Sequence, residues 1–168
     1  MKRIISLLVL SAGLIIILLT IGDLGDILDE TQKQKNTTDF GVIKNCDPGN
    51  AICSIRSQFE QKSVKISISF DQPIVVLKPF KINLQVEGIS PQRIQQAIID
   101  FTMVDMDMGI NNQFFKMLSV NGEQNSRWLA SGNLAVCVSG RSDWLATITI
   151  QVKDKNIKIL IPIIAHRH

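Results

Sequence analysis

The chain has no tyrosine and only two histidines, His166 and His168, both among its last three residues. It also lacks the CxxC, HExxH, GxSxG and glycine-rich phosphate-binding patterns of common redox, zinc, serine and nucleotide sites. A Ser-His-Asp arrangement would need the chain end to fold back onto the body. These absences predict that the protein is not an enzyme.

A strong excess of one charge is also missing. Lys and Arg total 18, Asp and Glu total 15, and the net charge is +3. Setting Lys2 and Arg3 aside leaves 16 basic against 15 acidic residues, a net charge of +1. The sequence shows no basic stripe and no aromatic platform, so nucleic acid is not expected as a partner.

One long apolar run is present, from Ile4 to Ile21, and its eighteen residues carry no charge. As a helix it would reach about 27 Å, enough to cross the hydrocarbon core of a membrane. The alternative is a cleaved secretion signal, whose apolar region is normally about 7 to 15 residues long. The run ends in LLTIGDLGD, a poor cleavage site, which favours a transmembrane anchor over residues 1–22.

The charges that flank this run predict its orientation. Lys2 and Arg3 precede it, and basic residues stay on the cytoplasmic side of a membrane. Four acidic residues follow it: Asp23, Asp26, Asp29 and Glu30. We therefore expect a single-pass inner-membrane protein with a linker over residues 23–45 and a folded domain, residues 46–168, in the periplasm.

The three cysteines divide into a close pair and a single residue. Cys46 and Cys53 bound the segment CDPGNAIC, in which Asp-Pro-Gly turns the chain back. In an oxidising compartment this pair predicts a local disulfide, and the alternative is two free thiols at the end of a linker. Cys137 lies in the apolar run LAVCVSG and is expected to be a buried, inert thiol.

Clean alternation of apolar and polar residues begins after Cys46. VKISISF, FKINLQVEG and DWLATITIQV place apolar side chains at every second position, as strands with one buried face do. Seven to nine such segments with short turns predict an all-β, immunoglobulin-like two-sheet sandwich. The segment between Pro73 and Pro79 is predicted to be an edge or crossing piece, and Trp128 and Trp144 to fill the core.

Four of the five methionines lie between Met103 and Met117. Thioether sulfur suits Cu(I), so copper could be held by Met103, Met106 and Met108. Further candidate ligands are Met117, Cys137, His166 and His168. One alternative is core filling, because the flexible methionine side chain packs well into irregular gaps. Another is a surface that binds a partner. A strand can aim Met103 and Met106 at one point only if a bulge lies near 104–106, and the terminal AHRH is expected to fray.

The turn SGRSDW, residues 139–144, carries Arg141. Its guanidinium is expected to pair with Asp105 or Asp107 and so to lock two loops together, because arginine makes paired bonds to carboxylates. The alternative is that Arg141 clamps an anionic ligand or an acidic partner. The two aspartates could instead be solvated edge charges, and Trp144 could lie at a rim as a binding aromatic.

Two segments, DFTMVDMDMGINNQFFKML and WLASGNLAVCVSGRSDWLATITI, resemble those of small, mostly uncharacterised exported proteobacterial proteins. That group pairs an MxMG-N segment with a later LPVCVxGRxxW segment and has two early cysteines, where Cys46 and Cys53 stand here. Asn133-Leu134-Ala135 departs from the group's usual Leu-Pro. More distantly, the layout is similar to YtkA-like and FixH-like immunoglobulin-type modules, some of which are linked with copper handling or cytochrome oxidase assembly. The resemblance implies a fold and a compartment but no reaction.

Two functions follow as expectations. The first is a membrane-anchored periplasmic accessory or interaction module that assists assembly of a respiratory oxidase complex. The second is a periplasmic copper-binding or copper-delivery protein. Converging methionine sulfurs at one end of the sandwich would favour the copper protein, whereas an exposed apolar patch without converging ligands would favour the interaction module.

Replacing Arg141 with lysine tests the predicted contact between the two loops. Lysine cannot make the paired bonds of a guanidinium, so Arg141→Lys is expected to lower the melting temperature of the purified protein. A melting temperature unchanged within error would contradict the pairing with Asp105 or Asp107.

Overall fold

The computed structural model describes residues 36–103, 109, 111–135 and 143–166. Their regular structure consists of strands and one short 3-10 turn, Pro91–Arg93. The strands are β1 Thr37–Val42, β2 Cys53–Phe59, β3 Lys62–Phe70, β4 Phe80–Glu87, β5 Ile94–Met103, β6 Asn112–Phe114, β7 Lys116–Val120, β8 Asn125–Gly132, β9 Asp143–Val152 and β10 Lys155–Ile164.

The ten strands form two five-stranded sheets. Sheet A has the order β1-β10-β9-β5-β6 and sheet B the order β2-β3-β4-β8-β7. The predicted all-β, two-sheet architecture is therefore confirmed. Within the described part of the chain no helix is long and apolar enough to cross a membrane, and the predicted anchor, residues 1–22, lies outside that part.

The core lies between the inner faces of the two sheets, and two-residue alternation determines which side chains reach it. On β9 every second residue from Trp144 to Val152 is buried, and on β4 the same holds from Phe80 to Val86. A slip of one residue in either strand would turn this whole apolar set toward water, so burial fixes the register. The faces predicted for these segments are confirmed.

Phe80 contacts aromatic rings of both sheets. Its ring lies 5.2 Å from that of Phe70 in sheet B and 5.9 Å, edge to face, from that of Phe101 in sheet A. Gly132 on the neighbouring strand makes room for it, because a Cβ there would lie 2.7 Å from the Phe80 ring. Such aromatic pairs add about 0.5–1.5 kcal/mol to the burial of their area.

The folded unit begins earlier than the sequence predicted. The expected linker, residues 23–45, includes β1, which lies beside β10 in sheet A, so this part of the linker prediction is wrong. Phe40 and Ile43 are buried, and Ile43 N donates to Leu160 O at 2.9 Å. The segment was hard to recognise because Gly41, at φ +93°, interrupts its alternation.

The segment QFFKMLSV forms two strands that belong to different sheets. β6 pairs with β5 in sheet A, whereas β7 pairs with β8 in sheet B. Phe115, between them, is buried and its N–H donates to Ala97 O at 2.9 Å. The chain thus crosses from one sheet to the other at a single buried residue.

The turn after β4 depends on a glycine. Gly88 has φ +94°, and an added Cβ would lie 2.4 Å from Ser63 O. Gly88→Ala is therefore expected to lower the free energy of unfolding by roughly 2 kcal/mol or more, measured by urea denaturation. Gly122→Ala is the control, because its φ is +76° but no atom lies within 4 Å of its Cβ, and we expect a loss of about 1 kcal/mol. Equal losses would contradict the steric part of this prediction.

Candidate functional site

The predicted disulfide between Cys46 and Cys53 is present, with a Cα–Cα distance of 5.7 Å. The loop that it closes is organised by the Asp47 carboxylate, which accepts hydrogen bonds from Gly49 N at 2.9 Å and Asn50 Nδ2 at 2.6 Å. Pro48 O accepts from Phe70 N at 2.7 Å, so the loop is also bound to the end of β3. The disulfide therefore fixes the beginning of β2 against its neighbour.

Met103 and Trp144 lie in the core. Met103 pairs with Trp144 across β5 and β9, and Trp144 pairs with Ile163 across β9 and β10, so the three form one cross-strand row. All three side chains are at most 4% exposed. Core filling is therefore the role of Met103, and the prediction that Trp144 fills the core is confirmed.

The two tryptophans differ in how their indole N–H groups are satisfied. Trp128 Nε1 donates to Ser126 Oγ at 2.9 Å, and both residues are buried. Trp144 Nε1 is buried and has no hydrogen-bond partner among the residues that the structure describes. Trp144 also lines a cavity of about 520 Å³ at one end of the sandwich. The other residues that line this cavity are Asn45, Cys46, Asp47, Asp143, Leu145, Pro162, Ile163 and Ile164. The fold thus brings the disulfide and Trp144, which were singled out separately, to one cavity.

Several predicted site residues lie outside the described part of the chain, and the predictions about them stay predictions. These residues are Asp105, Met106, Asp107, Met108, Cys137, Arg141 and His168.

The expectation that the chain end frays is wrong as far as His166. His166 N donates to Ile74 O at 2.8 Å, and Val76 N donates to His166 O at 3.1 Å, which makes a parallel bridge at Val75. Val75, Val76 and Leu77 belong to the segment between Pro73 and Pro79, which we call the crossing segment. Leu77 N donates to Leu134 O at 2.8 Å. Chain ends are mobile unless they are tied down, and here the crossing segment supplies the backbone partners.

The described residues do not provide a ligand set for copper. The Met103 sulfur is in the core of sheet A, and Met117 is on the edge strand of sheet B. His166 is held through its backbone beside Val75. Across the described residues, no group of three or more His, Cys, Asp and Glu side chains could hold a metal ion.

A surface that the sequence analysis missed lies on β6 and β7. Four large apolar side chains are exposed within residues 114–120, and we call these four residues the edge ribbon: Phe114 at 58%, Met117 at 46%, Leu118 at 61% and Val120 at 46%. Among the strands that the structure describes, β6 is the last of sheet A and β7 the last of sheet B. The signal in the sequence was QFFKMLSV itself, because apolar residues occupy both faces of so short a segment.

Ion pairs link three connections at the end of the sandwich that lies away from the Trp144 cavity. Glu60 accepts a hydrogen bond from Arg93 Nη2 at 2.6 Å and lies 3.3 Å from Lys155 Nζ. The Arg93 guanidinium is the main cause that lowers the pKa of the Glu60 carboxyl, and Lys155 contributes less. These contacts join the β2–β3 turn, the 3-10 turn and the start of β10, which is a structural role.

Comparison of the chain with family models, curated protein sequences and solved structures gives no match.

The disulfide loop gives a direct test of what fixes β2. Cys46→Ser with Cys53→Ser is expected to lower the free energy of unfolding by about 2 to 3 kcal/mol, because the open loop regains its entropy in the unfolded chain. Urea denaturation measures the loss. A reductant should bring the unmodified protein to the same stability and leave the double variant unchanged, and a reductant effect on both proteins would point to another cause.

Proposed function

We propose that this protein is a non-catalytic interaction module, exported and anchored in the inner membrane, that binds a protein partner through the edge ribbon. The observation that carries the proposal is the exposure of Phe114, Met117, Leu118 and Val120 on consecutive edge strands. Singly scattered exposed apolar residues are normal, whereas several of them concentrated on adjacent strands often mark a binding site.

The edge position strengthens this interpretation. An edge strand presents unpaired backbone groups, and most proteins protect such an edge with charges, prolines or bulges. β7 has the sequence KMLSV, with one charge and no proline, and its one irregularity is a register shift between Met117 and Ser119. Its occupant is an extended segment of the partner that pairs with β7 and covers Met117 and Val120.

The strand order supports an immunoglobulin-like topology for the domain. In such domains one sheet contains strands G-F-C-C′ and the other B-E-D. Here β10-β9-β5-β6 and β4-β8-β7 follow those two orders. Two features differ from antibody domains. Trp144 lies on β9, the strand equivalent to F, and the disulfide is at a sheet edge rather than between the sheets.

The compartment is argued from the disulfide and from the charges near the N-terminus. Disulfides persist in oxidising spaces, and Cys46–Cys53 fits a periplasmic domain. The apolar run from Ile4 to Ile21, preceded by Lys2 and Arg3, supports an anchor with its N-terminus in the cytoplasm. An anchored domain is well placed to bind a partner in the same membrane. The family resemblance suggests a respiratory oxidase complex as that partner. Copper delivery, the alternative function, has less support, because Met103 is buried in the core and the described residues include no converging ligand group.

The ribbon can be tested in native membranes. Phe114→Asp with Val120→Asp places two charges in the contact, so the full-length protein should leave its complex and migrate alone on blue-native gels. Val42→Asp with Ile164→Asp, at exposed apolar positions outside the ribbon, should keep the complex. A photo-crosslinking residue at Val120 should give an adduct that one at Ile164 does not.

Two outcomes would overturn the proposal. The first is that the ribbon variant and its control migrate as the unmodified protein does, with equal melting temperatures. The second is that a periplasm-dependent reporter enzyme fused to the C-terminus stays inactive in cells, since the domain would then not be exported.

A further inference from the structure

A shallow groove of about 330 Å³ crosses the outer face of sheet B. Four of the residues that line it form a polar row in register across β3, β4, β8 and β7: Ser67, Gln85, Arg127 and Ser119. Ser54 continues this row on β2. Ser69 and Asn83 line it beside this row.

The groove exists because the residues at its floor are short. Strand residues that face water commonly carry long charged side chains, but β3 has serines at positions 67 and 69. Ser67 is only 5% exposed although it faces away from the core. A flat surface such as a bilayer could not reach a floor that lies below its neighbours in this way.

The two ends of the groove are apolar. Ile52, 72% exposed, lies at the β2 end, and Leu118 lies at the β7 end. Five strands give four spacings of about 4.8 Å, so the ends are roughly 19 Å apart. An extended peptide rises about 3.3 Å per residue and would span this distance with about six residues.

The charge on this face is unbalanced. The outward positions of the five strands carry five cations, Arg56, Lys65, Lys81, Lys116 and Arg127, and one carboxylate, Glu87. Glu87 is already bonded to Lys65 Nζ at 3.2 Å and to Gln85 Nε2 at 3.3 Å. The face therefore complements an acidic ligand.

Arg127 is placed to receive that ligand. Its Nε donates to Ser119 Oγ at 3.2 Å, which holds the guanidinium beside the groove. Among the described residues no carboxylate forms an ion pair with it. A guanidinium in this position can make paired bonds to a carboxylate.

We infer that the groove binds an acidic, extended segment of a protein partner, about six residues long, with a carboxylate on Arg127 and apolar side chains on Ile52 and Leu118. This rests on the proposed function in that the ligand is a protein. The outward strand positions of sheet B carry no aromatic residue on which nucleic-acid bases could stack.

The probe is the acetylated, amidated peptide LSDSDL, titrated into the isotope-labelled full-length protein and followed by amide chemical shifts. Shifts should concentrate at Ser67, Gln85 and Arg127, and they should weaken as salt rises. The control peptide LSNSNL, which lacks both carboxylates, should bind about tenfold more weakly. Arg127→Gln should weaken LSDSDL binding by a similar factor, whereas Lys158→Gln on the outer face of sheet A should not.

Three outcomes would overturn the inference: no shifts in the groove at millimolar peptide, equal binding of the two peptides, or an Arg127-dependent affinity for anionic vesicles or oligonucleotides that LSDSDL does not share. Phe114→Asp with Val120→Asp leaves the groove residues intact and should retain peptide binding. If peptide binding fails while the native complex still depends on the ribbon, this inference fails alone. If the peptide binds and the complex ignores the ribbon, the proposed function fails alone.

Discussion

The contact between the inner faces of the two sheets is the constraint on which the rest of this structure depends. The central strands of each sheet place an apolar residue at nearly every second position, and burial of these residues fixes the register of each pair. Because the register is fixed, the outward residues also fall into rows. The outward polar row on sheet B and the buried row that contains Met103 and Trp144 both result from this alternation.

The same constraint leaves different degrees of protection at the two sides of the sandwich. At one side the Cys46–Cys53 disulfide and its hydrogen-bonded loop secure the edge strand β2. At the other side β6 and β7 end their sheets with exposed apolar residues. The covalent bond thus holds one edge strand in place, whereas the opposite edge exposes apolar side chains. This asymmetry adds to the exposure of the edge ribbon as support for the proposed interaction module.

The sequence predicted well what alternation and cysteine spacing control, and it missed what depends on contacts distant in the chain. The buried faces of β3, β4 and β9, the disulfide and the two core tryptophans follow from local pattern. The pairing of His166 with the crossing segment does not, since backbone partners carry no side-chain signature. The change of sheet at Phe115 was also invisible, because alternation reports burial but not which sheet a strand joins. The groove needed the cross-strand register, which sequence alone does not give.

The change of sheet at Phe115 ties the exposed edge to the interior. Phe114 and Lys116 are two residues apart but belong to different sheets, so the shape of the edge is set by how the sheets lie on each other. A substitution deep in the interior that altered this stacking would be transmitted to the edge without touching it. Stability and the proposed recognition of a partner are therefore not free to evolve separately.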